Sequence, residues 1–104
     1  MSGFSLHPDA YADLEEIWEF IAADNVAAAD RVIGDVFEAL RTLGDSPHIG
    51  HRRPDLTSKP VRVFRVRDYL VAYAPDETPV WIVAIIHGRR NPRVMAAMLR
   101  NRDE

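Results

Sequence analysis

The chain predicts an α+β fold: a short first strand, then an antiparallel helical hairpin packed on an antiparallel sheet in the order β-α-α-β-β-β, with a short C-terminal helix. Two observations carry that expectation. Apolar residues recur at helical spacing up to Leu43, then at strand spacing from Val61 onward. Capping and turn residues (Asn25, Gly44, Pro47, Asn91) stand where the pattern changes. With 104 residues, positions 1–104 make one domain, long enough to bury a core of its own.

Taken in order, "FSL" ahead of "HPD" reads as the first strand. Pro8 suits the first turn of a helix, where its missing N–H costs nothing, and Asp9 favours the helix dipole. Tyr11, Leu14, Ile17, Trp18 and Ile21 then form one apolar stripe with acids on the other faces, so Trp18 is expected in the core. Asn25 is a fitting N-cap for a second helix, whose inward positions include Ala29, Val32, Ile33, Val36, Phe37, Leu40 and Leu43. Gly44 is expected at C′, with Pro47 shortly after. A link this short makes the two helices an antiparallel hairpin.

Residues 45–60, "DSPHIGHRRPDLTSKP", form the one long loop. "VRVFRV", "YLVAYA" and "VWIVAII" read as three strands. Their connections, "RD" and "PDETP", are short enough to fold them into an antiparallel meander. "NPRVMAAMLRNRDE" opens with an Asn-Pro helix start and points Val94, Met95, Met98 and Leu99 inward.

Composition narrows the class. Apolar residues at 47% and charged residues at 28% are those of a globular domain that lives in water. Without cysteine, neither a disulfide framework nor a thiolate metal site is available. The N-terminus lacks the basic start and apolar run of a signal peptide. The longest apolar run, Val80 to Ile86, is far short of the roughly 20 residues that span a bilayer. The expectation is a cytoplasmic protein without a membrane partner. Charge is unevenly spread: residues 1–50 carry ten acids against two arginines, net −8, and residues 51–104 carry eleven Lys or Arg against six acids, net +5. That asymmetry suggests an anionic partner for the second half, or simply acidic helices preceding arginine-rich strands.

The candidate site follows from the arginines. Arg62, Arg65 and Arg67 lie along one strand region, and Arg89 and Arg90 follow the buried run. By strand period Arg65 and Arg67 share one face and Arg62 the other. Guanidinium is the preferred bidentate partner of phosphate or carboxylate, although arginines on an open face also serve solubility alone. His87, beside two arginines, is pushed toward the neutral form that a general base needs, or is a structural histidine bonded to a backbone carbonyl. Gly88 allows a positive φ or a close approach at the turn. Arg93, Arg100 and Arg102 favour the dipole of the last helix or track a phosphate backbone. Tyr69 and Tyr73 share a strand face as core, partner contact or stacking platform. "HIGH", with His48 and His51, lacks carboxylate companions, and no phosphate loop or nucleophile elbow occurs, so neither metal nor cofactor is expected.

In combination these residues resemble the RelE/ParE superfamily of bacterial type II toxins, over nearly the whole chain. The likeness lies in "LHPDAYADLEEIWEFIAADN", "AAADRVIGDVFEALRTLGDSPHIGHRRPDL" and "YLVAYAPDETPVWIVAIIHGRRNP". Their shared features are Asp13-Leu14 with Ile17, Asn25 at the helix turn, Pro47 with Gly50, and His87-Gly88 with Arg89 or Arg90. The resemblance implies a toxin held in a complex by a cognate antitoxin, ParD-like or related. It also implies one of two activities. RelE-like members cleave mRNA on the ribosome without metal, which would give His87, Arg89 and Arg65 catalytic roles. ParE-like members inhibit DNA gyrase without catalysis, and Arg62, Arg65, Arg67, Tyr69, Tyr73, His87, Arg89, Arg90 and Arg93 would then bind target or antitoxin.

Three departures favour the ParE branch: a single lysine (Lys59), no tyrosine after Tyr73, and a negative total charge that suits docking on ribosomal RNA poorly. The long helical hairpin, Asp9 to Leu43, points the same way. A third reading, a non-toxic module that retains antitoxin binding, is open on sequence alone. The expected geometry puts Arg65, His87, Arg89 and Arg90 along an uncovered sheet edge opposite the hairpin, facing acidic residues of the antitoxin tail. An apolar groove between sheet and helices would receive the tail's hydrophobic residues.

Overall fold

A computed structural model describes residues 3–102, so the outer two residues at each end of the expected domain lie outside it. Strand β1 (Phe4–Leu6) passes through His7 into helix α1 (Pro8–Ala22), and Ala23, Asp24 and Asn25 link it to helix α2 (Val26–Asp45). A long loop holding the two-residue strand β2 (His51–Arg52) leads to β3 (Arg62–Val66), β4 (Tyr69–Ala74), β5 (Val80–His87) and helix α3 (Pro92–Asn101). The sheet order is β1-β5-β4-β3-β2. Strands β3 to β5 form the antiparallel meander expected from their short turns, and β2, which falls within the expected loop, pairs antiparallel with β3. Strand β1 joins it parallel to β5, with Phe4 opposite Val80 and Leu6 opposite Ile82, so the whole sheet is mixed.

Local chemistry accounts for the helix starts. Asn25 Oδ1 accepts from Ala28 N at 3.0 Å, and Asn91 Oδ1 from Arg93 N at 2.8 Å, each satisfying an amide with no partner inside its helix. At α1 the cap is His7, whose Nδ1 accepts from Asp9 N at 2.9 Å. Gly44, expected just past α2, sits within its last turn, and Ser46 is the C-cap. Its small size serves packing instead: a Cβ there would stand 2.9 Å from the carbonyl carbon of Gly3.

Each face of the sheet has its own core. On one, Leu14, Val36, Leu40 and Leu43 of the hairpin meet Val71, Tyr73, Ile82 and Ile85. On the other, Met95 and Leu99 of α3 cover Val63, Leu70, Ala72, Val83 and Ile86. The apolar run of β5 serves both through a bulge. Ala72 faces Ala84 while Tyr73 faces Ile82, so Val83 is one residue too many for its partner strand. The alternation resets there, which lets Ile82 and Ile85, three residues apart, both face the hairpin. Three side chains expected inward are exposed instead: Tyr11, Trp18 and Val94 remain more than a third exposed. Trp18 has a polar reason, since its Nε1 donates to Asp30 Oδ1 of α2 at 2.9 Å. Among the described residues no helix is long and apolar enough to cross a membrane.

Candidate functional site

The His87 end of the sheet brings several of the expected residues together. Gly88 N donates to Asp68 O at 2.7 Å, tying the segment after β5 to the β3–β4 turn. Arg65, exposed on the α3 face of β3, reaches over this tie. Its Nη1 donates to Arg67 O at 3.2 Å, and its guanidinium would lie 3.5 Å from a Cβ at Gly88. Gly88 does not have a positive φ, so its role is the close approach. Exposed Arg89, Arg90 and Arg93 continue the cluster from the turn into the first turn of α3. Arg65, Arg89, Arg90 and Arg93 thus make a cationic corner at one end of the sheet.

His87 sits beside that corner but on the other sheet face, edge-on to Tyr69 with ring centroids 5.3 Å apart. Its Nδ1 accepts from Arg89 N at 3.1 Å. A neutral imidazole bonded this way carries its proton on Nε2, so it offers a donor outward rather than a free base. Burial, with Asp68 nearby as a lesser cause, pushes the Tyr69 phenol above its usual range and keeps it neutral.

Other expected site residues are elsewhere. Arg67 follows β3 in a left-handed turn conformation, φ 54°, and its Nε donates to Asp35 of α2 at 2.7 Å. It therefore faces the hairpin, away from Arg65, because the strand ends at Val66 and its alternation with it. Arg62 is at the far end of β3, donating to the carbonyls of His48 and Gly50 at 3.2 and 2.8 Å. Tyr73 is fully buried, and its hydroxyl accepts from Gly50 N at 2.9 Å, so it anchors the loop and is closed to a partner. Arg102 neither tracks a phosphate nor stands free at its helix end: it closes a clasp on α1.

That clasp borders the groove expected between sheet and helices, at a place and with an acidic wall that the sequence did not disclose. Beyond Ile82, strand β1 no longer covers β5. The exposed strand edge opens into a groove of about 740 Å³ between α1 and α3. Asp13 of α1 accepts from Ile85 N at 3.0 Å and from two nitrogens of Arg102 at 2.6 and 3.1 Å. Arg102 also donates to Val83 O at 3.3 Å, at the bulge. Both side chains are nearly nine-tenths buried, and the bonds to Asp13 hold the guanidinium more firmly protonated than usual. Ile17 and Phe20 line the α1 side of the groove, Met98 the α3 side, and Arg90 the corner end. Periodicity flagged Ile17 and Met98 only as core; Asp13 and Arg102, 89 residues apart, gave no local signal of their pairing.

The likeness to known proteins agrees with this frame. A family model described as the ParE toxin of the type II toxin-antitoxin system, parDE, matches residues 4–92. The chain belongs to the ParE toxin family. The matched span runs from β1 to the start of α3 and so includes the hairpin, the sheet and the His87 turn. Among solved structures, a chain of the chromosomal ParDE TA system from P. aeruginosa superposes with a TM-score of 0.68 at 20% identity, covering 84% of this chain and 96% of that one. At that identity the match speaks for the fold. No curated protein sequence matches the chain. In this ParE-family chain the cationic corner and the α1–α3 groove lie side by side at the end of β5.

Proposed function

We propose that this ParE-family protein is a non-catalytic toxin that inhibits DNA gyrase in the cytoplasm and is neutralised by a ParD-like antitoxin. The observation that carries the reading is the ParE family match over residues 4–92, which includes the long hairpin. The chemistry at His87 supports it. Nuclease action on RNA needs a proton acceptor and a donor at the scissile phosphate. Here His87 Nδ1 is already engaged by Arg89 N, and Tyr69 is held neutral. Arg65, Arg89, Arg90 and Arg93 have a different use, as a cationic contact for the target or for acidic residues of the antitoxin. The groove beside them receives the antitoxin's apolar residues.

Purified protein is expected to inhibit gyrase supercoiling, and its induction in cells to raise DNA-damage signalling while bulk mRNA stays whole. Full supercoiling in excess protein would overturn the gyrase reading. Cleavage of translated mRNA, lost in His87→Ala and Arg89→Ala, would replace it with the ribosome-dependent nuclease. Normal growth on induction without antitoxin, despite tight antitoxin binding, would leave the non-toxic binding module.

A further inference from the structure

The α1–α3 groove has a polarity opposite to the corner beside it. Its apolar surface is incomplete: Phe20, which lines the groove, is 82% exposed. Its α1 wall is acidic. Asp9, Asp13 and Glu16 follow one another at helical spacing along the groove, and a single guanidinium, Arg102, stands among the three. Asp13 has that guanidinium in a two-point bond, and Asp9 is 3.8 Å from its Nε. Glu16 is exposed and makes no close ion pair among the described residues, its charge reaching the shared Arg102 only at longer range. The wall therefore carries uncompensated negative charge next to exposed apolar surface. Arg90, just past β5, also lines the groove.

The strand edge itself is already taken. Ile85 N gives its bond to Asp13 and Val83 O receives one from Arg102, so an incoming strand finds these edge groups occupied. An occupant docks here by side chains, as an amphipathic helix does in a groove.

We infer that the segment of the antitoxin seated in this groove is an amphipathic helix carrying a lysine or arginine opposite Glu16 and Asp9. This rests on the toxin reading above and adds to it the charge that the partner presents to the α1 wall. A uniformly acidic tail would meet the α1 carboxylates with like charge, which costs affinity and rejects wrong partners. The apolar face of the helix covers Phe20, Ile17 and Met98. The cation finds its place against Glu16.

The test uses the full chain co-expressed and co-purified with the antitoxin encoded beside it. Glu16→Lys is expected to weaken the complex about tenfold, the size of turning a partly screened attraction into repulsion. Glu38→Lys on α2, the same charge change outside the groove, is expected to leave affinity unchanged. Lys→Glu or Arg→Glu in the antitoxin at the position facing Glu16 should restore binding to the Glu16→Lys protein. Phe20→Ala, at an exposed site that the fold does not need, is expected to weaken binding as well. Equal loss in Glu16→Lys and Glu38→Lys would reveal only a general charge effect and overturn the inference. Unchanged affinity in both Glu16→Lys and Phe20→Ala would also overturn it while leaving the toxin reading intact. If the wild-type chain binds no antitoxin at all, the toxin–antitoxin reading fails first and the inference with it.

Discussion

The two faces of the sheet are covered by very different means. The hairpin lays 35 residues of helix over one face and seals it: Val36, Leu40 and Leu43 are wholly buried against Val71, Tyr73 and Ile82. The other face has the ten-residue α3, which contributes Met95 and Leu99 to the core and leaves Val94 exposed. Apolar burial suffices to hold the hairpin. A helix as short as α3 needs pins, and it has two at its C-terminal end: Lys59 Nζ donates to Leu99 O at 3.2 Å, and Arg102 grips Asp13. The comparison separates a face built for stability from one built at a site, since the second pin also forms the groove wall.

A matched pair of truncations tests the difference between the two faces most strongly. Leu40→Ala should cost about 2–5 kcal/mol, near the top of that range, because rigid elements on both sides prevent collapse onto the cavity. Leu99→Ala should cost less than Leu40→Ala, since α3 can settle inward over the gap. Urea unfolding of both variants measures this. Equal losses would mean that α3 is as firmly held as the hairpin.

Next in size is the clasp. Removing one partner of a largely buried ion pair leaves the other charged and short of bonds, so Arg102→Ala should cost about 3 kcal/mol. Asp13→Ala should cost at least as much, because it also orphans Ile85 N at the strand edge. Hydrogen exchange at Ile85 is the specific readout: it should quicken in Asp13→Ala and much less in Arg102→Ala.

Tyr73 provides a smaller effect with a sign in pH. Tyr73→Phe removes the acceptor of Gly50 N in a buried setting and should cost about 1–3 kcal/mol at neutral pH. Burial is the main reason that the Tyr73 phenol is raised above its usual range. The folded chain thus holds that proton more tightly than the unfolded chain does. Its stabilising share is complete below the ordinary phenol value of about 10 and is lost as pH rises through the higher folded value. Urea midpoints followed above pH 9 should therefore fall more steeply in the wild type than in Tyr73→Phe.

Much of the hairpin face was legible because its signals are local. Asn25 and Asn91 cap the helices they appeared to cap, and the three meander strands follow from their alternation and short turns. Trp18 misled because a tryptophan at core spacing can equally use its N–H on a neighbouring helix, here at Asp30. An apolar groove between sheet and helices is legible, but its place and its acidic wall are not, and its parts explain why. Asp13 and Arg102 meet across 89 residues, and the bulge at Val83 depends on how β4 pairs with β5. Tyr69 and Tyr73 are two strand positions of one face, yet one edges the site and the other is sealed beneath a loop. Sequence period assigns a face; it does not say how far along the strand the cover extends.

Two glycines give the finest test of the contrast between closed and open parts of the molecule. At Gly50 an added Cβ would collide with the Tyr73 hydroxyl and come within 2.9 Å of Val63 O, both held by the sheet, so Gly50→Ala should destabilise by several times the cost at Gly88. At Gly88 the nearest atom is Asp68 O at 3.1 Å, in an exposed turn that can yield, and φ there is not positive. Gly88→Ala should therefore cost less than about 1 kcal/mol, within the range of ordinary surface changes. Its methyl would stand 3.5 Å from the Arg65 guanidinium, an ordinary van der Waals contact that leaves the corner in place. Thermal melts of the two variants measure this difference. Arg65→Ala tests the corner directly: a variant that melts normally but binds antitoxin or gyrase more weakly assigns Arg65 to that contact.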